Sequence, residues 1–252
     1  MDDLKGKVAI VTGAGAGIGK SIALALAEAG AGIVVTARTK SQIDAVAEAA
    51  KKFKVKALSI PADVSVENEV EAMVAKTLDH FKRIDILFNN AGIGGPTGFI
   101  TDIKTGGWDE TMAVNLRGMF LCSRAVIPTM IKARQGNIIN VSSGAGKRTK
   151  DGAFISLTRS LVYSVSKFGV EGFTLALAGQ VNEYNINVNA LRPGATATQF
   201  HADKPEEKRA KMRRADDVKK LAVYLAAQGP MGITGESIDA ATWDKIYRTR
   251  GF

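Results

Sequence analysis

Short apolar runs alternate with stretches of helical periodicity along most of the chain. Val8-Ala9-Ile10-Val11, Ile33-Val34-Val35-Thr36, Lys56-Ala57-Leu58-Ser59-Ile60, Ile84-Asp85-Ile86-Leu87-Phe88, Asn137-Ile138-Ile139-Asn140-Val141 and Ile186-Asn187-Val188-Asn189-Ala190-Leu191 are short and rich in aliphatic side chains, the pattern of buried strands. A seventh is expected near Glu236-Ser237-Ile238, and Pro61 and Pro193-Gly194 should stop the runs that precede them. Between the strands, apolar residues recur at helical spacing: Ile43, Val46, Ala47 and Ala50 within 41–53, and Val70, Met73, Val74 and Leu78 after a helix start at Ser65. Further helices are predicted over 21–28, 106–133, 161–183 and 215–226.

Strand and helix in strict alternation predict an α/β fold, a Rossmann-type doubly wound parallel sheet of about seven strands with helices on both faces. Crossovers should be right-handed. A ligand should sit beyond the C-terminal strand ends, where the strand order switches. Neither a linker nor a repeat divides the chain, so residues 1–252 are read as a single domain. The least regular segments, 93–106, 144–160 and 196–214, are long enough to be functional loops.

Composition narrows this picture. A chain of 252 residues that is 46% hydrophobic can bury a substantial core. Cys122 is the single cysteine, which rules out an intrachain disulfide and fits a reducing compartment. The charged start Met1-Asp2-Asp3-Leu4-Lys5 does not read as a signal peptide, and no apolar run reaches the ~18 residues of a spanning helix, so a cytoplasmic location is expected. The formal net charge is +9, with Lys204, Lys208, Arg209, Lys211, Arg213, Arg214, Lys219 and Lys220 crowded late in the chain. Asp203, Glu206, Glu207, Asp216 and Asp217 interrupt them, as on a solvated face. Neither zinc spacing nor an aromatic-rich basic stretch is present to suggest a metal or nucleic acid.

Candidate chemistry begins at Thr12-Gly13-Ala14-Gly15-Ala16-Gly17-Ile18-Gly19, between the first strand and the first helix. Unpaired N–H groups and the helix dipole make such a helix start a cradle for a diphosphate. Tyr163 and Lys167 stand four apart on a predicted helix and share a face. An ammonium beside a phenol favours phenolate and lowers the tyrosine pKa from ~10, which suits proton exchange with a carbonyl or alcohol oxygen. Val141-Ser142-Ser143 ends the fifth strand and could present a hydroxyl or simply cap a loop. Asn115 lies inside a helix, where Asn is either exposed or bonded to something. Asn89-Asn90-Ala91-Gly92 follows the fourth strand directly.

Taken together and in this order, these motifs with Pro193-Gly194 resemble the short-chain dehydrogenase/reductase family, over nearly the whole chain. The resemblance implies a nicotinamide cofactor and hydride transfer at a ketone or secondary alcohol. It makes Tyr163 the general acid/base, with Lys167 holding the nicotinamide ribose and lowering the Tyr163 pKa. Ser143, in preference to Ser142, would bond the substrate oxygen, and Asn115 would position Lys167 through a water. Gly13, Gly15, Gly17, Ile18 and Gly19 would line the diphosphate site, Asp63 and Val64 would bracket the adenine, Asn90 would lie near the adenosine ribose and Thr196 would meet the carboxamide. The end of the second strand reads Thr36-Ala37-Arg38. Ala37 replaces the acidic residue that would bind NAD, and Arg38 can pair with a 2′-phosphate, so NADP(H) is the expected cofactor.

Two stretches depart from the family pattern. Ser143 and Tyr163 are 20 positions apart, a longer interval than usual, with Lys147, Arg148, Lys150, Asp151, Phe154, Ile155, Leu157 and Arg159 between them. Asp239 is followed by Ala240-Ala241 rather than glycines, and a tail with Trp243, Tyr247 and Phe252 follows. These aromatics suit either an oligomer interface, the resemblance implying a homotetramer, or packing on the chain's own core. The expected activity is carbonyl reduction. The alternatives are a 3-oxoacyl-acyl-carrier-protein reductase and a non-catalytic dinucleotide-binding sensor.

Overall fold

A computed structural model describes residues 4–146, 161–198 and 205–247. Seven parallel strands form one sheet: β1 (Val8–Thr12), β2 (Gly32–Ala37), β3 (Ala57–Pro61), β4 (Ile86–Asn89), β5 (Gly136–Val141), β6 (Ile186–Arg192) and β7 (Ser237–Asp239). Their order is β3-β2-β1-β4-β5-β6-β7. The order reverses between β1 and β4, which pair directly through Val11 and Phe88. That reversal opens a crevice at their C-terminal ends.

The helices are α1 (Gly17–Glu28), α2 (Lys40–Lys51), α3 (Glu67–Phe81), α4 (Thr105–Met112), α5 (Gly118–Ala133), α6 (Leu161–Val181), α7 (Glu206–Ala210), α8 (Lys219–Ala226) and α9 (Trp243–Tyr247). Strands covered on both faces need apolar side chains on both, which is why they read as unbroken runs. Ala9 and Val11 of β1 join one core with Ile22, Leu26, Ile43 and Leu221 from α1, α2 and α8. Ile10, between them, joins the other with Met73, Leu121, Val126 and Leu177 from α3, α5 and α6. None of the described helices is long and apolar enough to cross a membrane.

β3 ends at Pro61 as expected, the proline pairing with Ala37 in the outermost strand, where a missing N–H is tolerated. Three other local outcomes differ from the sequence expectation. The helix after Ser65 begins at Glu67, because Asp63 takes the Ser65 amide and hydroxyl at 2.9 and 2.7 Å and holds Ser65 in the preceding turn. The predicted helix 106–133 is interrupted by a π-helical turn at Ala113–Arg117. Residues 215–226 open with a 3-10 turn at Ala215–Val218 before α8.

Polar side chains inside the sheet fasten what surrounds it. Asn137 Nδ2 donates to Ala226 O and Gln228 O, Asn187 Nδ2 to Asn137 Oδ1 and Gly229 O, and Asn189 Nδ2 to Ile233 O. They tie the connection between α8 and β7 to β5 and β6. A backbone run that would otherwise lack partners is satisfied by three asparagines. Trp243 is buried against Tyr224, ring centroids 5.1 Å apart, so this tail aromatic packs on the chain's own core. Phe252 lies outside the described residues.

Candidate active site

The glycine turn is built by close approach. Gly13 has φ +61° and Gly17 φ +55°, conformations that a side chain disfavours. A Cβ on Gly13 would lie 2.8 Å from Ala91 Cα, and one on Gly19 would lie 2.4 Å from Gly13 O. Gly15 and Gly17 face the side chains of Gln42 and Thr198, and half-buried Ile18 packs on the α1 side of the core. α1 starts at Gly17 without a side-chain cap and with no acidic residue in its first turn. Its first N–H groups are thereby left for an anion.

Asn90 braces this turn. Its Nδ2 donates to Thr12 O at 2.8 Å and Gly13 O at 3.1 Å. The Thr12 hydroxyl donates to Phe88 O and accepts the N–H groups of Asn90 and Ala91 at 3.0 and 3.1 Å. The glycine turn and the segment after β4 are therefore one hydrogen-bonded unit across the switch point. The sequence places Thr12 at the head of the glycine turn but assigns its hydroxyl no role.

Arg38, just past β2, extends into solvent with its side chain 65% exposed and its guanidinium 3.9 Å from Asp63 Oδ2. Burial works to raise the Asp63 pKa, but the two Ser65 hydrogen bonds and the Arg38 charge outweigh it and hold the carboxyl below its usual range. Val64 is buried and packs on Gly118, where a Cβ would meet Val64 Cγ2 at 2.7 Å. Thr196 is buried beyond β6, its hydroxyl donating to Gly194 O at 3.2 Å, and it bridges to Arg213.

At the other end, α6 lays Tyr163 and Lys167 against the tip of β5. Lys167 is buried, its Nζ donating to Val141 O at 2.8 Å and standing 5.6 Å from the centroid of the Tyr163 ring. Burial pulls its pKa down to about 8, while the Glu171 charge acts to raise it. Gly146 permits the approach, because a Cβ there would lie 2.5 Å from Lys167 O.

The two serines separate clearly. Ser142 is buried and donates its hydroxyl to Glu171 Oε1 at 2.5 Å. Ser143 is half-buried, and its oxygen accepts the Ala145 N–H at 3.2 Å. Ser143 is thus the one whose hydroxyl is not committed to Glu171.

Asn115 sits in the π turn and is buried. Its Oδ1 accepts Ile93 N at 2.7 Å, and its Nδ2 donates to Ile93 O at 2.9 Å and Ser166 Oγ at 3.0 Å. Ser166 in turn donates to Tyr163 O at 2.7 Å. A polar cavity of ≈ 10 Å³, lined by Thr12, Asn89, Ala91, Asn115, Val141 and Lys167 among others, is close to the size that holds one water. Asn115, Tyr163 and Lys167 are therefore brought together around the β5 tip. Arg38 and Asp63 lie together at the opposite end of the crevice, by the ends of β2 and β3. Ser166 and Glu171 were missed by the sequence reading; their signal is their place one residue before and four after Lys167. The residues from Lys147 to Arg159 named above lie outside the described residues, as do 199–204 of the irregular segment 196–214.

The group implied at this site is a dinucleotide, and the residues fit it. Glycines hold the turn tight against β4, the α1 amides lack a side-chain cap, a guanidinium stands beyond β2, and a buried lysine lies at the far end. The family model for short chain dehydrogenases matches residues 7–209. A 3-oxoacyl-acyl-carrier-protein reductase of Thermotoga maritima is 32% identical over 244 residues, covering 93% of this chain and 96% of its own. Among solved structures, levodione reductase superposes with a TM-score of 0.84 at 26% identity, over 97% of this chain and 100% of its own. A metagenomic short-chain oxidoreductase in complex with NADP gives a TM-score of 0.79 at 32% identity, over 94% and 98%. Sequence motifs, sheet order and these likenesses agree: the chain belongs to the short-chain dehydrogenases, a family of nicotinamide-dinucleotide oxidoreductases.

Proposed function

We propose that this protein is an NADP(H)-dependent oxidoreductase that interconverts a ketone and a secondary alcohol, using Asn115, Ser143, Tyr163 and Lys167 within one catalytic unit. The observation that carries the reading is the buried Lys167 beside the Tyr163 ring, with a pKa brought to about 8. Near neutral pH such a lysine is an ammonium that can give up its proton, which a surface lysine does not readily do.

When bound, the reduced nicotinamide supplies the hydride. Ser143 and Tyr163 would hold the carbonyl oxygen, and Tyr163 would deliver a proton to it. Lys167 favours the tyrosinate that results and can pass on a proton from the cavity beside Asn115. Asn115 keeps that end of the site in place by clamping Ile93 to Ser166. The Gly13, Gly15, Gly17, Ile18 and Gly19 turn would take the diphosphate, with Asp63, Val64 and Asn90 around the adenosine and Thr196 at the carboxamide. Arg38 supports NADP(H) over NAD, because its exposed guanidinium can pair with a 2′-phosphate.

The test is a panel of ketones and alcohols followed by cofactor absorbance, with both dinucleotides, on wild type and Tyr163→Phe. Tyr163→Phe should bind NADPH as wild type does and lose turnover by about a hundredfold or more, the weight of a general acid/base. Retained turnover overturns the assignment. The Thermotoga maritima relative favours a second reading, reduction of 3-oxoacyl groups on an acidic carrier docked at the basic residues around Lys208 and Arg214; salt-sensitive turnover of carrier-bound substrate would single it out. Tight NADPH binding with no turnover of any substrate would favour a sensor. Exposed Phe120, Val165, Phe168 and Leu175 on α5 and α6 support self-association as a homotetramer, which light scattering would test.

A further inference from the structure

Beside Lys167 stands an acidic side chain with no part in the chemistry described so far. Glu171 lies one helical turn beyond Lys167 on α6, so the two share a face. They dock on consecutive residues at the tip of β5. Lys167 Nζ donates to Val141 O at 2.8 Å, and Glu171 Oε1 accepts the Ser142 hydroxyl at 2.5 Å. The serine bond is short, as a bond to a carboxylate is, and it fixes the carboxylate beside the lysine. The other groups around Lys167 come from every element packed on it: Thr12 of β1, Asn89 of β4, Asn115 of the π turn, Cys122 of α5 and Tyr163 of α6 itself. Burial pushes the Cys122 thiol up to about 12, so it stays neutral. Among the described residues, Glu171 is the charged group that acts on Lys167.

We infer that Glu171 is a positioning residue, a counter-charge held by Ser142 that keeps Lys167 protonated in its buried seat beside Tyr163. The inference rests on the roles proposed above for Tyr163 and Lys167. It gives the two serines different work: Ser142 orients the carboxylate, and Ser143 is left for the substrate. An isolated buried ammonium tends to shed its proton; a fixed carboxylate one turn away offsets that tendency without capping the lysine's exchange of protons.

The experiment separates charge from shape. Lysine side chains are labelled with 13C at Cε, and the Lys167 resonance of the cofactor-free protein is followed by NMR against pH. In wild type it should titrate near pH 8, below the surface lysines at ~10.4. Glu171→Gln keeps the acceptor for Ser142 and removes the charge, so the midpoint should fall by about one unit, and the alkaline limb of kcat should move down with it. Glu171→Asp keeps the charge and should stay within about half a unit of wild type. An unchanged midpoint in Glu171→Gln overturns the inference, as does a midpoint in Glu171→Asp that falls by a full unit; the aspartate variant decides alone if the glutamine variant fails to fold. No turnover by wild type on any ketone would defeat the proposed reaction and leave these titrations readable.

Discussion

Lys167→Met tests the energetics of the site without any substrate. Burial lowers the lysine from its usual 10.5 to about 8, a difference that at ~1.36 kcal/mol per unit makes the buried ammonium cost roughly 3 kcal/mol of stability at pH 7. The sign follows from proton linkage. Between the folded value near 8 and the unfolded value near 10.5, the unfolded chain holds a proton that the folded chain has lost, so stability rises with pH across that window and is lowest below it. Methionine has a comparable stem and no charge, and its substitution removes this slope. It also leaves Val141 O without its donor, which costs about 1–3 kcal/mol. The variant should therefore match or exceed wild type by up to about 2 kcal/mol at pH 7, and wild type should overtake it by a similar amount towards pH ~10. Urea unfolding of cofactor-free protein at several pH values, followed by Trp fluorescence, measures the difference. A difference between variant and wild type that stays flat from pH ~7 to ~10 refutes the reasoning.

The cofactor end yields two more expectations. Gly19→Ala drives a methyl into Gly13 O and the Asn90 amide, each 2.4 Å from its Cβ; backbone must shift, so stability should fall by about 1–3 kcal/mol and NADPH affinity by about tenfold or more, and unchanged affinity in a fluorescence titration would show that the turn does not hold the cofactor. Arg38→Asp should lower the preference for NADPH over NADH by about tenfold to a hundredfold, the weight of a hydrogen bond to a charged group; equal use of both cofactors by wild type would remove the argument before the variant is made.

Much of the architecture was legible because burial on both faces forces apolar strands, and these stand out between amphipathic helices. The glycine turn, Asn89–Gly92, Ser142-Ser143 and Pro193-Gly194 fall at strand ends for the same reason, since there the chain leaves the core and can meet a ligand. Tyr163 and Lys167 reach the tip of β5 from α6, and Asn115 comes from the π turn. What stayed hidden was set by distant partners. Nothing local tells the stretch around Asn115 to form a π turn; the reason is its three bonds to Ile93 and Ser166. Asn90 reads as a residue beside a ribose, and its amide is found bracing the glycine turn. The choice between Ser142 and Ser143 depends on Glu171, 29 positions away from Ser142, a separation that no local pattern bridges.

Those hidden contacts share a physical purpose. Apolar packing is non-directional, and α6 could slide along the sheet with little loss if apolar packing were all that held it. Buried hydrogen bonds penalise such a slide, because each one broken leaves a polar group unsatisfied. α6 is pinned by several. Asn89 Nδ2 reaches Asn140 Oδ1, and Asn140 Nδ2 reaches Thr174, both at 2.9 Å, which runs from β4 through β5 into the helix. Asn115 holds Ser166, Val141 O holds Lys167, and Ser142 holds Glu171. At the other side of the switch point Thr12 and Asn90 lock β1 to the end of β4. A glycine turn fixed to β4 and a helix fixed to β4 and β5 share one frame, which would hold the two ends of a bound dinucleotide at a set distance. Reactions that depend on the placing of reacting atoms lose rate steeply with small displacements, and this frame of asparagines and serines is what would keep Tyr163 in register with the cofactor.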